Sequence, residues 1–147
     1  MRAAGASSQA VTFFERTGFF LSERIEEHGL VDVGYGTDPC LANRNTRLFL
    51  LNGVPPEIAA SRLFPGDWEK YPGYAELAGQ SRRLFLDSPR AALKEAQILP
   101  DGRQRMLIAA PIRECGACEP LAYMQIVVIF DTQGRIAEKE VLPPVLS

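Results

Sequence analysis

The stretch QRMLIAAPIR (Gln104–Arg113), ECGACEP (Glu114–Pro120), LAYMQIVVIF (Leu121–Phe130), DTQG (Asp131–Gly134) decides the fold. Two runs rich in β-branched and aliphatic residues are separated by a short Gly/Pro loop, and the second is followed by a tight-turn tetrad, which reads as strand, loop, strand, turn. Upstream, Leu99-Pro100-Asp101-Gly102-Arg103 places Pro and Gly where a tight turn wants them and joins Gln97–Leu99 to Gln104–Arg113 as a hairpin. Downstream, Arg135–Val141 completes three consecutive antiparallel strands, a C-terminal β-meander. In Leu121–Phe130 only Gln125 is polar, so this strand is expected to be central and covered on both faces. Glu138, Lys139 and Glu140 mark a charged edge strand that discourages sheet-to-sheet association.

Working towards the N-terminus, Thr46–Leu51 reads as a buried strand ended by Asn52-Gly53. The spacing of Val11, Phe14, Gly18, Leu21 and Ile25 predicts an amphipathic helix over Ser8–Glu27 that stops at His28-Gly29, with His28 as a C-terminal cap. Residues 1–7 are expected to be flexible. Val33–Asn45, with its glycines, Asp38-Pro39 and asparagines, reads as a loop around a short extended piece. Pro55-Pro56 predicts a helix through Phe64, and Ser88-Pro89 predicts another through about Ala96. Tyr74–Gln80 reads as a further helical stretch. The expected architecture is one α+β domain over residues 1–147, with helices packed on an antiparallel sheet that ends in the meander. This order is similar to cone-shaped folds in which helices precede a curved sheet and enclose a pocket, although no motif supports a family name.

Composition narrows the function classes. With 46% hydrophobic and 23% charged residues in 147, the chain is an ordinary globular protein with enough length for one core. A net charge of −2 gives no general attraction to nucleic acid or anionic lipid. No uninterrupted apolar stretch approaches the ~18 residues of a membrane-spanning helix. The small-residue start Ala3–Ser8 would also suit the beginning of a mature exported chain.

Cys115-Gly116-Ala117-Cys118 is the most pointed chemical motif. Two thiols at this spacing can form a disulfide, hold half of a zinc site, or act as a redox dithiol. Redox sites place the pair at a helix N-terminus, where the dipole lowers the thiol pKa; here Glu119-Pro120 and a strand follow, and Glu114 and Glu119 disfavour thiolate. His28, Cys40, Cys115 and Cys118 make up the whole cysteine and histidine supply, the count that a closed Cys₃His zinc site needs. The reading carried forward is a Cys115–Cys118 disulfide between strands, no cofactor, Cys40 as a buried free thiol, and an oxidising compartment such as a bacterial periplasm.

Other chemistry is sparse. The single histidine has no G-x-S-x-G elbow to serve, and neither a P-loop nor G-x-G-x-x-G is present. Arg103, Arg105 and Arg113 share one strand parity and form a candidate anion patch, against which the flanking acids favour a solvated strand end. Trp68, Tyr71 and Tyr74, on a Pro/Gly-rich segment, form a candidate recognition surface; the alternative is that Trp68 plugs the core. The sequence therefore favours a non-enzymatic bacterial binding or interaction protein, exported and disulfide-bearing, with an unidentified protein or small-molecule ligand. The rivals are a small enzyme or ligand-binding protein with an apolar pocket between helices and sheet, and the structural zinc protein.

Overall fold

The computed structural model describes residues 4–22, 24–38 and 46–147. It is β-rich, built from two antiparallel sheets. In the first, strands β1 (Phe20–Leu21), β2 (Asp32–Thr37), β3 (Thr46–Leu51) and β4 (Glu57–Ala59) lie side by side in chain order. The second contains β5 (Phe85–Leu86), β6 (Ala92–Ile98), β7 (Gln104–Arg113), β8 (Ala122–Phe130) and β9 (Ile136–Leu146). β5 and β6 share one edge of β7 end to end, against Ile112–Arg113 and Gln104–Ala109 respectively, while β8 and β9 continue from its other edge.

The N-terminal helix is shorter than its apolar stripe predicts. Helix α1 covers Ala4–Thr17 and stops at Gly18, whose φ of 79° and N–H···O bond to Phe14 (2.8 Å) make it a C-terminal cap. Gly18 is thus the stop signal and not a member of the stripe. The segment beyond it turns to β structure, with Phe20 and Leu21 paired to Thr37 and Gly36, and Glu26 bridged to Val33. His28 accordingly caps no helix.

The expected loop around Val33 is the full strand β2, for a steric reason. A Cβ at Gly34 would lie 2.7 Å from Phe13 Cε1, and one at Gly36 would lie 2.7 Å from Phe19 Cβ. These glycines let aromatic rings approach the strand backbone and do not turn the chain. Phe13 meets Phe49 of β3 edge-on at 5.5 Å, and with Leu51 the three form a small core of their own.

Two expected helices are corrected. Pro55–Phe64 forms β4 followed by a 3₁₀ turn at Ala60–Leu63. Ser88-Pro89 opens only a 3₁₀ turn, Ser88–Arg90, after which Ala92–Ile98 pairs with β7 as a strand. Alanine, leucine, lysine, glutamate and glutamine are good helix formers, and the hairpin with β7 overrides that local preference. The helix expected at Tyr74–Gln80 is the short α2, Tyr74–Ala78.

The main core lies between the sheets. Met106, Ile108, Ala110 and Ile112 of β7, with Ala122, Met124, Ile126, Val128 and Phe130 of β8, are fully buried in one cluster with Val33, Leu48 and Leu50 of the first sheet. Gln104 is the buried polar residue of the described chain. Its Oε1 accepts the Val31 N–H at 2.6 Å, and its Nε2 donates to the carbonyls of Val31 and His28 at 3.1 and 3.2 Å. It ties the loop before β2 to the start of β7.

β8 is central, as expected; its inner face lies in the main core, and on its outer face Val127 is buried while Tyr123, Gln125 and Ile129 are half-buried. Its outward residues Tyr123, Val127 and Ile129, with Leu107 and Ala109 of β7, belong to neither hydrophobic cluster. β9 is the charged edge, with Glu138, Lys139 and Glu140 exposed.

Candidate functional site

The loop joining β7 to β8 carries the cysteine pair. Cys115 and Cys118 are joined by a disulfide, the Cys118 N–H donates to the Cys115 carbonyl at 3.1 Å, and the Leu121 N–H donates to the Ile112 carbonyl at 2.8 Å to close the loop. The chain then enters strand β8 directly, so no helix dipole acts on either sulfur. Arg113 anchors the loop from below. Its Nη1 donates to the Cys118 carbonyl at 2.9 Å and its Nε to Asp87 Oδ2 at 3.0 Å, with both side chains largely buried.

The four residues counted for zinc are not assembled. Two of the sulfurs are bonded to each other, and Cys40 lies outside the described residues. His28 is held at the Gln104 end of β7, whereas the cysteines follow Arg113 at the other end, about 30 Å away at the rise of an extended strand. Among the described residues no group of three or more His, Cys, Asp or Glu converges. His28 Nε2 lies 3.3 Å from Glu26 Oε1 beside a surface cavity of about 530 Å³, whose lining of Gln9, Arg24, Ile25, Glu26, Glu27 and His28 offers charges of both signs and no hydroxyl or thiol nucleophile.

The aromatic trio does not form a solvent-facing surface. Trp68 and Tyr74 are buried in the main core and Tyr71 packs against it. The Tyr74 hydroxyl donates to the Leu142 carbonyl at 2.7 Å and accepts the Gln125 N–H at 3.3 Å, where the β8–β9 register is interrupted. Burial pushes its pKa above the usual tyrosine value. The arginines are likewise engaged: Arg103 with Asp101 (2.8 Å) and Glu138 (3.1 Å), and Arg105 with Glu95 (3.2 Å).

What the outer face of the second sheet does present is a shallow groove centred on Ala109. Small Ala109 leaves a depression between the taller side chains of Lys94 and Tyr123. The Lys94 ammonium stands 5.9 Å from the centre of the Tyr123 ring, a cation–π contact. From there the groove runs two ways. Towards Val145 it is a hollow of about 340 Å³ walled by Leu107, Gln125 and Val145. Towards the disulfide loop it is a hollow of about 220 Å³ walled by Arg90, Pro111, Arg113 and Pro120. The disulfide loop therefore supplies one wall through Pro120 and fixes Arg113 in another.

Charge distinguishes this groove from larger hollows. Among the described residues its lining contains Arg90, Lys94 and Arg113 and no carboxylate. The cavity of about 480 Å³ along β4, by contrast, sets Glu57 against Arg62. The period-two pattern of β7 and β8 marks Ala109 and Tyr123 as outward, but Lys94 sits in a segment that reads as helix, and the juxtaposition was hidden by that.

No family model, curated protein or solved structure matches this chain. No helix among the described residues is long and apolar enough to cross a membrane.

Proposed function

We propose that this chain is a binding protein whose ligand lies on the outer face of the second sheet, over Ala109, and whose disulfide holds one wall of that site in place. The observation that carries this reading is the pair of hollows on the outer face of β7–β8, floored by buried Leu107 and Ala109, walled by Tyr123 and exposed Val145, and framed by cations with no carboxylate in the lining. A concave, partly apolar hollow with a few polar groups at its rim is characteristic of ligand sites. The disulfide supports a protein that works in an oxidising compartment, where such bonds persist.

The test is a ligand-observed NMR screen of small molecules against the wild-type protein and an Ala109→Trp variant, in which the indole fills the groove. Binders lost in the variant place the site over Ala109. A screen whose binders all survive the substitution contradicts the reading.

A further inference from the structure

Resting on that reading, we infer that the groove takes a small amphipathic anion, with its carboxylate at the Arg90–Lys94–Arg113 end and its hydrocarbon portion over Ala109 towards Leu107 and Val145. Three observations carry this. The two hollows share Lys94, Ala109 and Tyr123, so one molecule can occupy both. The hollow beside the disulfide loop is lined by cations and by no acid, while the other is predominantly apolar. Within the cationic hollow Arg113 is already held by Asp87 and by the Cys118 carbonyl, which makes it a fixed wall, whereas Lys94 reaches across Tyr123 and stays exposed. An ammonium on a flexible stem can swing from the ring face to an arriving carboxylate and form a charge-assisted hydrogen bond. The apolar end rewards a chain, because hydrocarbon lying over exposed Val145 and half-buried Tyr123 removes their surface from water, with buried Leu107 and Ala109 as the floor.

The experiment compares octanoate with octan-1-ol, the same chain without the charge, by isothermal titration calorimetry at low and high ionic strength. Octanoate is expected to bind about tenfold more tightly than the alcohol at low salt, and that advantage should shrink as salt screens the cations. Lys94→Gln, at an exposed position, should bring octanoate to within about twofold of the alcohol, and Ala109→Trp should abolish both. Equal binding of the two probes, both lost in Ala109→Trp, overturns the anion assignment and leaves the groove standing. Failure of both probes while other small molecules are displaced by Ala109→Trp overturns it in the same way. A short peptide with a free C-terminal leucine binding more tightly than octanoate replaces the small ligand with a peptide. If nothing is sensitive to Ala109→Trp, this inference and the proposed site fall together.

Discussion

Replacing Gln104 by leucine tests the staple between the loop before β2 and the start of β7. Leucine is of similar size and apolar, so the change opens no large cavity, but it withdraws one acceptor and two donor contacts at once. The Val31 N–H loses its 2.6 Å partner, and the carbonyls of Val31 and His28 lose theirs. Val31 is 1% exposed and cannot turn its groups to water, whereas half-buried His28 can recover a bond to solvent. Each unpartnered buried group costs about 1–3 kcal/mol, so the two on Val31 set a loss of roughly 2–6 kcal/mol. At about 2–4 °C per kcal/mol for a domain of this size, Tm should fall by roughly 4–24 °C. Urea and thermal unfolding followed by circular dichroism measure this directly. Stability of Gln104→Leu within about 0.5 kcal/mol of wild type, the range of ordinary surface changes, would refute the reasoning.

A Cys115→Ser, Cys118→Ser double variant should lose only about 2 kcal/mol, the chain-entropy value for a four-residue loop, because Arg113 and the Leu121–Ile112 bond still hold the loop; a urea titration that finds the variant unfolded in buffer contradicts this. Burial raises the pKa of Tyr35 and Tyr74 in the folded state, so the unfolded chain ionises first and stability should be flat below pH ~10 and fall above it. Chemical denaturation from pH 7 to 11 checks that sign, and Tyr74→Phe should flatten the alkaline decline at the expense of about 1–2 kcal/mol at neutral pH, from the lost bond to Leu142. Gly53→Ala would put a Cβ 2.7 Å from the Gly134 carbonyl oxygen, a backbone atom that cannot swing aside, so it should cost about 1–3 kcal/mol; a neutral thermal melt would show that the two turns can part.

The C-terminal half was legible because independent signals agreed. In β7 and β8 the alternation, the β-branched composition and the flanking turns at Asp101-Gly102 and Asp131–Gly134 all indicate one register, and the strand bounds follow closely. Thr46–Leu51 matches β3 for the same reason. Elsewhere, local signals conflicted with long-range packing. Gly34 and Gly36 look like loop residues until the Phe13 ring that lies on both, and the Phe19 Cβ against Gly36, are known. Ala92–Ile98 has a helical composition and becomes a strand only because β7 offers an edge. That misreading also hid the groove, since the approach of Lys94 to Tyr123 exists only when β6 is paired. The disulfide was readable because its partners lie within one loop. The flanking acids weighed against an arginine patch, and Asp101 does engage Arg103, whereas Glu95 and Glu138 reach Arg105 and Arg103 only through the pairing of β6 and β9 into the sheet.

The central claim is that the outer face of β7–β8 over Ala109 receives the ligand, and a backbone-amide NMR titration with octanoate tests it most directly. The account predicts shift changes concentrated at Lys94, Ala109, Tyr123 and Gln125, and their loss in Ala109→Trp. Changes concentrated instead around Arg24 and His28, or around Glu57 and Arg62, and unaffected by that substitution, would contradict it.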